Sequence, residues 1–293
     1  MKFIEPKILA TITNLPLIAK TVVDGFLVGA HANPTPGAGL EFNQYRGYQP
    51  GDDPRLLDWK MYARADRYYI READIETSIH LRFVIDASAS MKHADEAGLT
   101  KFDYARFLVA TLAHLGYRQG DAIGLHMLGE TSHHLPARQG RRHYHRFMQT
   151  LEQMRPNGVW PDWSRSEHAL AGGRWRGMLI IVTDLHEHGE EMRHTLTKLS
   201  GMKHEIVIFQ LLARNEIDLP YRGPVTFEDM ETGERIKVVP EKVRESHRHH
   251  VDAAINQWRT ELHDRRIAHE PMTTDQPLDQ ALRHFLNRRL RHA

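Results

Sequence analysis

The sequence predicts an α/β fold built on a mostly parallel sheet with helices on both of its faces. From about residue 79 onwards, apolar runs of strand length alternate with amphipathic stretches of helix length, which is typical of such sheets. The runs at residues 80–86 and 177–183 lead into polar residues, as buried parallel strands do. Residues 1–78 lack this alternation. We therefore divide the chain into an N-terminal extension (1–78) and a main domain (79–293).

The extension begins with a helix, predicted roughly over Leu15–Val28, where apolar residues recur at helical spacing. A segment rich in proline and glycine follows at residues 31–60 and is too broken for a long helix. It carries several aromatic and leucine side chains, among them Trp59. We expect these side chains to pack on the main domain, with Trp59 as a core anchor.

The elements of the main domain each have a local signal. The first helix shows an apolar stripe through Phe102, Leu108 and Leu115 and a stop at Gly120. A small β-hairpin insertion is predicted from two strand-like runs joined by the turn sequence ETGE. In chain order, the predictions are a strand at 80–88, a helix at 101–120, strands at 121–128 and 132–138, helices at 141–154 and 166–173, a strand at 177–184, a helix at 190–201, a strand at 204–212, the hairpin at 225–239, a helix at 243–265, a strand near Ile267 and a helix at 278–290.

The composition is that of an ordinary globular protein, with 41% hydrophobic and 26% charged residues. A formal charge of +1 gives no global field that would favour nucleic acid or an anionic membrane. The absence of cysteine excludes disulfides, thiolate metal sites and a cysteine nucleophile. The N-terminus lacks the features of a signal peptide, and charged residues interrupt its apolar stretches. We expect a soluble, cytoplasmic protein without a membrane span.

Polar side chains follow two predicted strands at their carboxyl ends, where open α/β sheets bind ligands. Asp86, Ser88 and Ser90 form an Asp-x-Ser-x-Ser loop, Asp184 follows the strand at 177–183, and Ser164 lies in a loop between them. Carboxylates and hydroxyls suit a hard cation, and Mg²⁺ needs few protein ligands because it keeps several waters. We predict that these residues bind a divalent cation, with Mg²⁺ preferred and Mn²⁺ or Ca²⁺ as alternatives.

A simpler interpretation is that the Asp-x-Ser-x-Ser loop only caps the segment that follows, since Asp and Ser are favoured at such positions. The buried strand before the loop and the second strand-terminal carboxylate at Asp184 favour metal binding over capping.

This arrangement resembles the metal-ion-dependent adhesion site of von Willebrand factor A domains. The chain is also similar to the bacterial domain-of-unknown-function-58 family, whose signature block stands shortly before an Asp-x-Ser-x-Ser strand. The C-terminal stretch at 278–289 resembles the closing helix of that family. The matching positions of the block are Glu41, Phe42, Arg46, Tyr48, Pro50, Gly51, Asp52, Asp53, Arg55, Asp58, Trp59, Ala63 and Arg64.

The resemblance implies a von Willebrand factor A-like fold and assigns the metal ligands to Asp86, Ser88, Ser90 and Asp184. Ser164 falls at the position of the family's threonine, so the hydroxyl is kept and the methyl that stiffens χ1 is lost. It also implies a MoxR-type AAA+ ATPase as partner, in systems that serve protein assembly or maturation.

Charged residues of the signature block form a second candidate site. They could bind a partner, or they could form ion pairs that pin the extension to the main domain. His186, which follows Asp184 closely, could touch the metal or a partner, or begin the next helix. The candidates for partner binding are Arg46, Asp52, Asp53, Arg55, Asp58 and His186.

No common catalytic motif is present. The G-x-S-x-G elbow, the phosphate-binding loop, G-x-G-x-x-G and H-E-x-x-H are absent. A phosphohydrolase of the haloacid-dehalogenase type would use Asp86 as nucleophile, but it needs a second carboxylate where this chain has Ser88. This reaction also requires a lysine and a later acidic pair. We therefore expect no enzymatic activity and keep this reaction as an alternative.

The function that we expect is a metal-dependent protein-binding module, an adaptor or substrate recogniser for the ATPase. An acidic side chain of a client protein would complete the coordination of the metal. The alternatives are the phosphohydrolase and a structural domain whose metal site has decayed.

Overall fold

The computed structural model describes residues 6–283, apart from residues 10, 13, 32–43, 49–56, 58, 66, 73–77, 97, 131, 165–166, 168–169, 171–176, 187–188, 203 and 280. Its helices are Pro6–Leu9 (α1), Leu15–His31 (α2), Trp59–Ala65 (α3), Lys101–Arg118 (α4), Arg141–Gln153 (α5), Glu191–Ser200 (α6), Arg214–Asp218 (α7) and Pro240–Asp264 (α8). Its strands are Gln44–Gly47 (β1), Tyr69–Glu72 (β2), His80–Asp86 (β3), Ala122–Leu128 (β4), His133–Arg138 (β5), Gly177–Thr183 (β6), Glu205–Leu212 (β7), Val225–Glu228 (β8), Arg235–Val238 (β9) and Ala268–Thr273 (β10).

In the described part of the chain, the main sheet has six strands in the order β10-β7-β6-β3-β4-β5. Every neighbouring pair is parallel except β4 and β5 at one edge. The predicted α/β class and mostly parallel sheet are thus confirmed. From β3 the chain first extends the sheet on one side through β4 and later on the other side through β6. The switch point of the topology, where ligands bind in such sheets, therefore lies between β3 and β6.

Helices cover both faces of this sheet. The ring of Phe83 on β3 packs edge-on against Phe147 of α5, with centroids 5.8 Å apart. Its neighbour Val84 belongs instead to an apolar cluster with Leu196 of α6 and Trp258 of α8. Because adjacent strand residues point to opposite faces, α5 covers one face while α6 and α8 cover the other. Both faces of the central strands are consequently apolar, which explains their near-continuous hydrophobic sequence.

The chain divides into two compact units, Met1–Phe26 with Ser78–Ala293, and Leu27–Thr77. This grouping differs from the predicted division at residue 78, because the first part of α2 belongs with the main domain. The backbone N of Leu15 donates a hydrogen bond to Glu152 of α5 at 3.1 Å. Arg118 of α4 forms an ion pair with Asp24 at 2.7 Å. These contacts tie α2 to α4 and α5.

The smaller unit contains an antiparallel pair, β1 and β2, and helix α3. The rings of Tyr62 and Tyr68 stack with centroids 4.6 Å apart. Trp59 meets Tyr62 edge-on but is 62% exposed, so the expectation that it anchors a core is wrong.

The predicted hairpin insertion is present as the antiparallel pair β8 and β9. The strands and helices predicted for the main domain are found within a few residues of their expected ends, except for the helices at 166–173 and 278–290, which lie largely outside the described residues. Among the described helices, none combines the length and the apolar character that a membrane span requires.

Candidate metal centre

The loop that follows β3 is held in place by the loops beside it. The backbone N of Asn157 donates to the carbonyl of Ala87 at 2.6 Å, and the N of Ala89 donates to the carbonyl of Gly158 at 2.7 Å. A Cβ atom at Gly129 would lie 2.9 Å from the Ala87 carbonyl oxygen, so only glycine permits this approach. The loop is therefore fixed through its backbone at the end of the strand.

The Asp86 carboxylate is fully buried and both of its oxygens are engaged. Its Oδ1 accepts a hydrogen bond from the backbone N of Ser88 at 2.9 Å, and its Oδ2 accepts one from the Thr183 hydroxyl at 2.6 Å. The hydroxyl oxygens of Ser88 and Ser90 lie 2.9 Å apart. The three side chains of the Asp-x-Ser-x-Ser loop are thus close together, as the loop's spacing predicts.

Asp184 stands directly after β6, the neighbour of β3 in the sheet, and is also buried. Its Oδ1 accepts a hydrogen bond from the backbone N of His186 at 3.1 Å. Its Oδ2 accepts one from Lys101 at 2.7 Å, and the Ser90 hydroxyl, which lines the same cleft, helps to lower the pKa of this carboxylate. Asp86 and Asp184 are therefore linked through the serine loop, at the switch point of the sheet.

A strained turn shapes the end of β6. Leu185 has a φ of 56°, in the left-handed region that costs a residue with a side chain about 1–2 kcal/mol. Its side chain is buried, and its backbone N donates to the Thr183 hydroxyl at 3.0 Å. The Thr183 hydroxyl in turn donates to Asp86. One hydroxyl therefore holds both the turn and the carboxylate of the neighbouring strand.

Lys101, the first residue of α4, places its ammonium group between two carboxylates. Its Nζ lies 2.7 Å from Oδ2 of Asp184 and 2.7 Å from Oε1 of Glu216. Glu216 is in α7, after β7, and its other oxygen accepts the backbone N of Ala213 at 2.8 Å. Three neighbouring strand ends thus contribute carboxylates to one charged cluster.

The pKa values of this cluster show where its charge is compensated. Burial, and then the charge of Asp184, raise the pKa of Asp86 to about 7, against the opposing hydrogen bonds from Thr183 and Ser88. Burial acts to raise the pKa of Asp184 too, but the charge of Lys101 prevails and lowers it. Burial acts to lower the pKa of Lys101, but its two carboxylate partners prevail and raise it. The ammonium therefore compensates Asp184, while Asp86 lacks a positive counter-charge in the described cluster.

This donor set fits a divalent cation of the Mg²⁺ type. In their ionised forms, Asp86, Asp184, Glu216 and Lys101 sum to a formal charge of −2, which one dication would neutralise. The oxygen atoms of Asp86, Ser88, Ser90 and Asp184 are hard ligands, and water can fill the remaining positions. Among the described residues, no three His, Asp or Glu side chains form a metal-binding group of their own. The hydroxyls and waters would consequently be essential to any site here.

The structure does not bring every predicted residue into this cluster. Ser164 is helical and exposed, and no hydrogen bond joins it to the cluster within the described residues. His186 contributes its backbone N to Asp184, whereas its ring Nε2 lies 3.8 Å from Asp229 of the β8–β9 turn. Of the second candidate site, Arg46 lies in β1, and Asp52, Asp53, Arg55 and Asp58 lie outside the described residues.

Three members of the cluster were not predicted: Lys101, Thr183 and Glu216. A cation in the first turn of a helix opposes the helix dipole, so Lys101 was a local conflict of the kind that marks functional sites. Glu216 follows the end of β7, to which the strand-end rule applies equally. Thr183 carried no signal beyond its position next to Asp184.

The cluster opens onto a cleft of about 380 Å³. Ser90, Lys101, Asp184 and Glu216 line its polar end. The cleft continues between α8 and the β8–β9 hairpin, where apolar side chains line it. The hairpin insertion thus has a definite place beside the candidate metal centre.

Two bacterial proteins described as uncharacterized are similar to this chain. Uncharacterized protein Rv1480 of Mycobacterium tuberculosis is 33% identical over 233 residues, which cover 78% of this chain and 73% of that protein. Uncharacterized protein YeaD of Bacillus subtilis is 23% identical over 165 residues, 56% of this chain and 38% of that protein.

A solved structure, the conserved hypothetical protein BatB from Bacteroides thetaiotaomicron, aligns with a TM-score of 0.50 at 12% identity. The alignment covers 74% of this chain and all of that one. The likeness concerns the fold alone, which is of the von Willebrand factor A type. The family described as "Protein of unknown function DUF58" matches residues 44–261, which is most of the chain. The chain therefore belongs to the DUF58 family.

Proposed function

We propose that the chain is a metal-dependent protein-binding module. The observation that carries this proposal is the buried Asp86 carboxylate, which has no cationic partner among the described residues and lies beside two hydroxyls at the switch point of the sheet. A purely structural site would have no reason to retain such a carboxylate, because burying an uncompensated charge destabilises the fold. The opening of the cluster into a cleft supports binding of an external group.

In this mechanism the protein's own residues orient the carboxylates and would hold the cation. The Thr183 hydroxyl and the Ser88 backbone N fix the Asp86 carboxylate, and Lys101 fixes that of Asp184. Asp86, Ser88 and Ser90 would hold a divalent cation, with Asp184 as a direct or water-mediated ligand. The bound cation would supply a vacant coordination position for an acidic side chain of a partner protein. Burial of the carboxylates on the inner side leaves the cleft as the direction of approach.

The first experiment is a titration with Mg²⁺ and Mn²⁺, followed by calorimetry and by thermal unfolding. Asp86→Asn keeps the size of the side chain and removes its charge, so we expect saturable binding in the wild type and none in this variant. Asp252→Asn, on the exposed side of α8, is the matched control and should bind like the wild type. Equal binding by Asp86→Asn would overturn the assignment.

The proposed partner, a MoxR-type AAA+ ATPase, rests on the family resemblance. It is tested by mixing the chain with a purified MoxR-type ATPase from the same organism and measuring complex formation by size-exclusion chromatography. A complex that forms with the wild type and weakens in Asp86→Asn would place the interaction at the metal centre. A complex unaffected by Asp86→Asn would place it on another surface, with the charged signature block as the next candidate.

One observation favours a second candidate, the phosphohydrolase. Lys101, which contacts Asp184 in the same cluster as Asp86, provides the lysine that this chemistry needs near its nucleophile. Ser88 still stands where the second acid is required, so we rank this function below protein binding. Hydrolysis of para-nitrophenyl phosphate with Mg²⁺, absent in Asp86→Asn, would reverse this order.

A further inference from the structure

Helix α8 leaves an apolar stripe only partly covered. Trp258 and Leu262, near its end, are buried in the core of the main domain. Ile255 and Val251 lie on the same side of the helix, one and two turns before Trp258, but are only half-buried. Both line the cleft that leads to the metal centre. The helix therefore carries its apolar stripe beyond the part that the domain itself covers.

Apolar side chains from outside α8 also line the cleft and are accessible. Met230, in the β8–β9 turn, is 45% exposed and lines the cleft. Ile217 of α7 lines it as well and is half-buried. A cleft of about 380 Å³ falls within the range of volumes that hold small ligands or a few side chains. Partly exposed apolar side chains that line one cleft together are typical of a binding groove.

Acidic groups at the rim of the cleft are already engaged. Asp229 accepts hydrogen bonds from the backbone N atoms of Glu231 and Thr232 at 2.8 Å each, which stabilise the hairpin turn. Glu228 forms an ion pair with Arg235 across the hairpin at 2.7 Å. At the inner end, a dication would neutralise the remaining charge of the cluster. The charge of the loaded cleft therefore permits the approach of a carboxylate.

We infer that the cleft between α8 and the β8–β9 hairpin binds a partner segment in which a large apolar side chain accompanies an acidic one. The acidic side chain lies at the metal centre, and the apolar side chain enters between Val251, Ile255 and Met230. This inference rests on the proposed function and names the chemistry of the partner. It also gives the hairpin insertion a role, since the hairpin supplies one wall of the groove.

The test uses the full chain and an array of acetylated hexapeptides. Each peptide carries one Asp or Glu and one Leu, Ile or Phe at varied spacing, with Gly and Ser elsewhere. Matched peptides replace the acid by its amide or by Lys, or the apolar residue by Ser. With Mg²⁺, we expect the complete peptides to bind about tenfold or more tightly than those that lack the apolar side chain. Binding should be lost in EDTA and with the amide peptides.

A pair of variants locates the apolar site. The double variant Val251→Gln/Ile255→Gln should lose the preference for the apolar side chain while still binding peptides that carry only the acid. Ala253→Gln adds the same side chain on the exposed side of α8 and should behave like the wild type. Both substitutions place a good helix former in the helix, so α8 should persist.

Each outcome has a separate meaning. Tight binding by acid-only peptides, equal to that of the complete ones, would overturn the groove and leave the proposed function standing. A Mg²⁺ titration without saturable heat would instead overturn the proposed function. Saturable Mg²⁺ binding without binding of any peptide would overturn the inference alone, and a preference for Lys peptides in EDTA would replace the acidic partner by a basic one.

Discussion

The ammonium group of Lys101 lies 2.7 Å from Oδ2 of Asp184, and both side chains are almost completely buried. They are separated by 83 residues in the sequence, so the pair joins the start of α4 to the end of β6. This internal cation reduces the charge of the cluster without occupying the serine loop. The metal centre that we propose is thus partly compensated before any cation binds.

Replacing Lys101 by Met should destabilise the protein by about 3–5 kcal/mol, because it leaves buried carboxylates without their partner. The same change makes the formal charge of the cluster more negative by one, so stabilisation by Mg²⁺ should be larger in Lys101→Met than in the wild type. Urea unfolding with and without saturating Mg²⁺ measures both effects. Lys198→Met, at an exposed position of α6, is the control. Equal stability of the two variants would mean that Lys101 is not the counter-charge of Asp184.

Thr183→Val should lower stability by about 1–3 kcal/mol, since it removes both the donor to Asp86 and the acceptor for the Leu185 backbone N. It should also weaken Mg²⁺ binding, because the Asp86 carboxylate loses the hydrogen bond that orients it. Thr195→Val is a matched control, for Thr195 is equally buried and its hydroxyl has no hydrogen-bond partner in the described part of the chain. We expect this control to be neutral or stabilising. A Thr183 variant that behaves like it would remove Thr183 from the site.

The ligand set is tested by comparing two serines. Ser90→Ala should weaken Mg²⁺ binding, because the Ser90 hydroxyl lies beside Ser88 and interacts with Asp184. Loss of a residue that only supports a metal ligand weakens metal binding roughly 10–100-fold, and we expect an effect at least as large here. Ser164→Ala should leave binding unchanged, because Ser164 is exposed and not hydrogen-bonded to the cluster within the described residues. Calorimetric titration measures both. The reverse result would restore Ser164 as the family's threonine equivalent.

The main sheet was predictable because its central strands are buried on both faces and therefore have long apolar runs in their sequence. Strands β1 and β2 and helix α7 gave no comparable signal. Each has only four or five residues, too few to establish a period. The exposure of Trp59 was missed for a related reason, since a lone aromatic residue in an irregular segment does not reveal its environment.

The residues of the candidate site that lie at strand ends could be predicted from the sequence. The residues that tertiary packing brings to the site could not. Asp86, Ser88, Ser90 and Asp184 follow from the rule that ligands bind at the carboxyl ends of strands. The contact between Lys101 and Glu216 joins residues 115 positions apart, and no local pattern encodes such a pair. The resemblance placed Ser164 by position in a motif, whereas the structure places it on an exposed helical segment.

A buried histidine on β4 should make stability depend on pH. His126 is 1% exposed, and neither of its ring nitrogens has a hydrogen-bond partner among the described residues. Burial, and then the charges of His134 and Arg82, lower its pKa to about 3. Between about pH 3 and the ordinary histidine pKa of about 6.5, His126 is therefore protonated in the unfolded state but neutral in the folded state. The contribution of His126 to stability is fully present above the pKa of the unfolded state and is lost as the pH falls from that pKa towards the pKa of the folded state.

We therefore expect His126→Phe, which removes the titration and keeps a ring against His134, to gain stability relative to the wild type as the pH falls. The gain in the free energy of unfolding should approach, at most, about 1.4 kcal/mol per pH unit below about pH 6. Asp86 titrates in the opposite sense, because its pKa is raised, but it is present in both proteins and cancels from their difference. Urea unfolding from about pH 8 to about pH 5 provides the measurement. His263→Phe, at a side chain that is 90% exposed, is the control for the substitution itself. A constant difference between His126→Phe and the wild type across this range would mean that His126 takes up its proton equally in the folded and unfolded states, so that its pKa is not lowered by folding.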